Sequence, residues 1–116
     1  MRRVKIAGIY RISVGEYYYI GKSVSIFDRW NSHIVLLVMG KHHSPLLQNK
    51  FDIYGLVNFK FEIVEVCSLS EYKFDTKLKG KQLEASFNKH LLDKEKHHMN
   101  KYSINFCLNK DNKYFQ

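Results

Sequence analysis

The chain has 116 residues, 45% of them hydrophobic and 15% aromatic, and a formal charge of +8 at pH 7. That is material for one compact domain with a core, which argues against a disordered protein and leaves no room for a second domain. The charge favours a polyanionic partner, because each Lys or Arg near a phosphate releases condensed counterions, although a soluble protein that is merely basic carries the same signature.

The first segment, 4–11, interleaves apolar and polar residues and reads as a strand. Ser13-Val14-Gly15-Glu16 reads as its turn, since Gly15 can take a positive φ, and Tyr17-Tyr18-Tyr19-Ile20 supplies a second strand of β-favouring residues. After Gly21-Lys22-Ser23, Ser25 can cap a helix starting at Ile26 with Asp28 in its first turn. Ile26, Trp30, Ile34 and Leu37 follow helical spacing toward a core, and Arg29 and His33, one turn apart, share the neighbouring face. A loop at Gly40-Lys41-His42-His43 leads to Ser44-Pro45, an N-cap with proline at the first helical position, and Gly55 can end that helix after Tyr54.

Phe59, Phe61 and Ile63 alternate with their neighbours in a half-buried third strand ending near Cys67. The polar stretch 68–80 carries no assignable period. Leu83, Phe87 and Leu91 then mark a helix over about 82–96, and the final twenty residues look irregular apart from a short extended piece around 104–108. Two strands, two helices, a strand and a helix predict a small α/β domain: a mainly antiparallel three-stranded sheet flanked by helices, with the whole of 1–116 as one domain. Cys67 and Cys107 lack any CxxC spacing, which favours reduced structural thiols in an intracellular protein. The longest apolar run, 34–39, is far too short to span a membrane, and no cleavage site follows the basic N-terminus.

Hydrolysing a phosphodiester requires an activated nucleophile, neutralisation of charge at phosphorus, and help for the leaving oxygen. A carboxylate-held divalent ion and the planar fork of an arginine suit the last two tasks. The sequence offers hairpin tyrosines, Arg29 and His33 on a helix, His42 in a loop and Glu84 on a later helix.

These residues resemble the signature of the GIY-YIG nuclease superfamily. Gly8-Ile9-Tyr10 and Tyr19-Ile20-Gly21 are the two triplets, and Gly21-Lys22-Ser23, Asp28-Arg29-Trp30 and His33 follow in the family's order. Lys41-His42, Leu47-Gln48, Tyr54-Gly55 and Phe59-Lys60-Phe61-Glu62 are similar to the catalytic domain of phage and intron-encoded homing endonucleases. Two triplets alone would say little; the ordered series carries the resemblance, from Gly8 to about Val66 and more loosely through Glu84 and Asn105.

The resemblance implies a metal-dependent endonuclease acting on double-stranded DNA, of phage or mobile-element origin, in the cytoplasm of a bacterial or phage-infected cell. Tyr10 would activate the attacking water, Tyr19 would position water or phosphate, and Arg29 would bind the phosphate. His33 and His42 would assist proton transfer or positioning, and Glu84 would hold one magnesium ion, with manganese as the alternative. Glu95, in an exposed-looking Asp-Lys-Glu-Lys run, is the fallback ligand. Gly8, Gly21, Ser23 and Asn105 would support the site, and Lys22, Lys41 and Gln48 would contact DNA. His43 reads as exposed, and His90, His97 and His98 as solvated. The usual linker and separate DNA-binding module are not evident, so DNA contact would fall to the basic surface, a homodimer or a separate specificity protein. The competing class is a non-catalytic DNA-binding or inhibitory module that retains the fold, which has no need for the whole residue set.

Overall fold

A computed structural model describes residues 5–102 and 104–109 of the chain. Its centre is a hairpin of β1 (Gly8–Val14) and β2 (Tyr17–Ser23), closed by Gly15 at φ 59° with Val14 opposite Tyr17. β1 starts later than the 4–11 expected from alternation, since residues 5–7 are not strand, and ends three residues further on, because Ile12 and Val14 are buried like Ile9 and continue its apolar pattern. β3 (Lys60–Val66) pairs antiparallel with the other edge of β1, giving the order β2-β1-β3. The expected α/β architecture, an antiparallel three-stranded sheet with helices around it, is the one found.

β1 is the middle strand and is covered on both faces, so its two alternating side-chain sets serve different cores. Tyr10, Ile12 and Val14 join Tyr19, Ile26, Leu37 and Leu47 on one face, that of α1 (Ile26–Val38) and α2 (Pro45–Tyr54). Ile9 joins Tyr18, Ile20, Met99 and Cys107 on the other. Complete burial of a side chain the size of Ile or Leu contributes about 1.5–3 kcal/mol, so these clusters fix the register that sets Tyr10 in place.

The helix ends follow local chemistry. Ser44 accepts a hydrogen bond from the Leu47 amide at 3.3 Å, Pro45 occupies the first turn, and Gly55 closes α2 at φ 77°. Ser25 precedes α1 as expected, but its hydroxyl donates to Asp28 at 2.9 Å instead of capping the backbone. The unassigned stretch holds a short helix, α3 (Leu69–Thr76), which starts where Ser68 accepts from the Glu71 amide. It has no buried residue, which is why it shows no apolar period.

α4 (Gly80–Met99) is longer than the 82–96 expected, and buries Leu83, Phe87, Leu91, Glu95 and Met99 at every fourth position. The tail forms a 3-10 turn at Ile104–Phe106 and one bridge to β2, with the Leu108 amide donating to the Tyr18 carbonyl at 2.7 Å. The expected extended piece is reduced to that bridge. Cys67 and Cys107 are buried free thiols. Among the described residues no helix is long and apolar enough to cross a membrane.

Candidate active site

Three elements converge on the Tyr10 hydroxyl: the hairpin, α1, and the loop before α2. Tyr10 lies opposite Gly21, and a Cβ there would run into the phenol ring, so glycine is the residue that lets the ring lie across β2. Gly8 is required for a different reason, since a Cβ on it would run into the Glu65 carbonyl of β3. Ser23 supports the start of α1, its hydroxyl accepting from the Ser25 amide at 2.9 Å.

From α1, His33 brings its Nε2 to 2.6 Å from the Tyr10 hydroxyl. Its Nδ1 stands 2.6 Å from Nε2 of His42, whose own Nδ1 accepts from the Ser44 amide at 3.0 Å. The His33 and His42 rings stack at 4.9 Å, and exposed His43 stacks on His42 at 4.3 Å. Tyr19 packs edge-on against both His33 and His42, with its hydroxyl 3.3 Å from His43 Nε2. Tyr10, Tyr19, His33 and His42 are thus one connected cluster.

Burial dominates the electrostatics of that cluster. It pushes the Tyr10 phenol above its ordinary range, reinforced by Tyr19 and opposed by Arg29, whose guanidinium is hydrogen-bonded to it. His33 is held down to about 3, by burial first and then by the neighbouring His42, so it is neutral at physiological pH. Arg29 itself is exposed.

The two candidate carboxylates on α4 differ in burial. Glu84 is exposed, because it follows buried Leu83 by one residue and so points about 100° away from the buried stripe at that level. Glu95 occupies the stripe itself and is 5% exposed. Its Oε1 is buried without a hydrogen-bond partner, and Lys22 and Arg29 exert the largest cationic influences on it, ahead of Lys96. Burial pushes its carboxyl up to about 7, and those cations act against the shift. Glu95 also acts weakly on Tyr10 through space.

A search of the solved structures finds a mutant of the catalytic domain of intron endonuclease I-TevI at 32% identity. The match covers 61% of this chain and 71% of that one, with a TM-score of 0.52. The chain belongs to the GIY-YIG nuclease superfamily. The catalytic domain of homing endonuclease I-TevI matches over 83% of this chain and 87% of that one, at 22% identity and a TM-score of 0.61, a likeness of fold. No protein-family model and no curated protein matches the chain.

Within this GIY-YIG domain the remaining expected residues fall into two groups. Lys22 is half-buried near Glu95, and Lys41 is exposed at the end of α1. Gln48, expected at a nucleic-acid surface, instead ties the site together. Its Oε1 accepts from the His42 amide at 3.1 Å, and its Nε2 donates to the Leu37 carbonyl and to Asp52, at 3.0 and 2.9 Å. Asn105 is exposed in the 3-10 turn. The asparagine that holds β2 is Asn109, fully buried, accepting from the Ile20 amide at 2.7 Å and donating to the Ile20 carbonyl at 2.8 Å. His98, expected to be solvated, is buried and bonded to Glu65 at 2.7 Å, which together with Lys94 holds that carboxyl below its usual range.

One of these placements had a signal in the sequence. Glu95 continues the four-residue ladder of Leu83, Phe87 and Leu91, and a carboxylate on an apolar stripe is seldom left on a surface. Asn109 had none, because its partner is a backbone amide 89 residues away.

Proposed function

We propose that the chain is a divalent-cation-dependent DNA endonuclease of the homing-endonuclease type, acting at the Tyr10 cluster. The observation that carries this reading is Glu95: a buried carboxylate oxygen without a hydrogen-bond partner, under the electrostatic influence of Lys22, Arg29 and Lys96 and itself acting on Tyr10. Burying an unpartnered carboxylate is unfavourable, and a cation that completes its coordination relieves the strain of that arrangement.

Among the described residues no group of three or more His, Cys, Asp and Glu side chains is placed to hold a metal. The donor set therefore fits a hard ion held by one carboxylate, with water and substrate oxygens as its other ligands, as magnesium or manganese accepts. When bound, such an ion supplies charge neutralisation at the scissile phosphate and its leaving oxygen. Glu95 replaces Glu84 as the ligand in this proposal.

Arg29 binds the phosphate through its planar fork, and Lys22 adds positive charge on the same side. Tyr10 orients the attacking water, and Tyr19 positions water or the phosphate. Double-stranded DNA is the partner, gathered by the basic surface that gives the chain its +8 charge. A homodimer or a specificity protein would add target selection.

Supercoiled plasmid is incubated with the protein in magnesium, manganese or EDTA, and DNA binding is followed in parallel. Nicking that needs the cation, with Arg29→Ala still folded but unable to nick, is the expected result. Binding without nicking under every divalent ion would overturn the enzyme and leave a DNA-binding module.

A further inference from the structure

We infer that the chain Ser44–His42–His33–Tyr10 is a one-way line of N–H donors that fixes the Tyr10 oxygen as an acceptor and carries no proton. Its direction follows from one end. The Ser44 amide is a backbone donor, and it points at Nδ1 of His42 from 3.0 Å. That nitrogen must present a lone pair, so His42 is neutral with its proton on Nε2.

The next two links follow. Nε2 of His42 donates to Nδ1 of His33 across 2.6 Å, which makes that nitrogen an acceptor. His33 therefore carries its proton on Nε2 and donates it to the Tyr10 oxygen, again across 2.6 Å. The reverse order would set an N–H of His42 against the N–H of Ser44. The burial that holds His33 neutral agrees with this assignment.

The consequence is a role for both histidines. His33 has no free lone pair facing Tyr10, so it cannot take the phenol proton. Delivering a proton to Tyr10 along the line would require the Ser44 amide to lose one. Any proton that Tyr10 gains or releases is thus exchanged with a group outside this line. Arg29 acts in favour of an ionised Tyr10, but burial outweighs it, so the oxygen that accepts from His33 is that of a neutral phenol. His33 and His42 are positioning residues that hold it so. The tautomers rest on this geometry alone, and their bearing on catalysis rests on the nuclease reading.

The test is a long-range proton–nitrogen correlation spectrum of the full nitrogen-15-labelled chain at neutral pH. Both His33 and His42 are expected neutral with the proton on Nε2. A proton on Nδ1 of either ring, or an imidazolium, overturns the inference.

Two variants check the coupling. In His42→Gln the side-chain amide can still donate to His33 and its tautomer is retained, whereas His42→Leu leaves His33 in mixed tautomers. A His33 signal indifferent to both overturns the line. In the nicking assay His33→Gln, which can donate but not shuttle a proton, is expected to keep activity within about tenfold of the parent. His33→Leu is expected to lose about a hundredfold or more. A glutamine variant as inactive as the leucine one overturns the positioning role. A parent chain that never nicks overturns the nuclease reading instead, and the spectrum still decides the tautomers.

Discussion

Gly21 and Tyr10 occupy one space between them: a Cβ on Gly21 would stand 2.7 Å from Cε2 of the Tyr10 ring and closer still to Cζ and the hydroxyl. The ring is 1% exposed and packed against Trp30 and His33, so it has nowhere to retreat. Gly21→Ala is therefore expected to lower stability by about 1–3 kcal/mol through overpacking. It is also expected to break the 2.6 Å contact from Tyr10 to His33. Urea denaturation measures the first effect, and the nicking rate, falling a hundredfold or so for a misplaced catalytic group, measures the second.

That pairing shows what the sequence could and could not disclose. The hairpin, α1, α2 and β3 were legible because Gly15, Ser44-Pro45, Gly55 and the alternation of Phe59, Phe61 and Ile63 act within a few residues. α3 was not legible, since a helix that buries nothing leaves no period to read. Tyr10, Tyr19, Arg29, His33 and His42 could be named from their order and are found together. Glu84 opens a helix at the family's spacing, whereas the burial of Glu95 along α4, on which its proposed role rests, is a property of the tertiary packing. Asn109 and the pair of His98 with Glu65 depend on contacts across the fold and had no local mark.

Glu95 should leave a signature in stability as well as in activity. Its carboxyl is raised to about 7 in the folded chain, above the ordinary 4.5. The native state therefore binds more protons than the unfolded state between those values, and the contribution of Glu95 to stability is lost as pH rises from 4.5 through 7. Each tenfold difference in proton affinity between the two states is worth about 1.4 kcal/mol. Glu95→Gln lacks this loss, so its melting temperature relative to the parent should rise between pH 5 and pH 8. Magnesium should raise the parent's melting temperature at pH 8 and leave Glu95→Gln unmoved.

Asn109 is expected to be structural where Asn105 is not. Asn109→Ala strands the Ile20 amide and carbonyl inside the protein, at about 1–3 kcal/mol for each buried group left unpaired. Asn105 is exposed, and Asn105→Ala should stay within about 0.5 kcal/mol of the parent. Urea midpoints of the two variants, taken with unchanged slopes, separate the roles.

The most direct measurement is the magnesium-dependent rate of plasmid nicking by the parent chain, Glu95→Gln and Glu84→Gln, each shown to be folded and to bind DNA. A cation held at Glu95 beside Tyr10 predicts nicking by the parent and by Glu84→Gln, at rates within about twofold of each other, and none by Glu95→Gln. Nicking by Glu95→Gln at the parent's rate, or its loss in Glu84→Gln alone, would contradict the account.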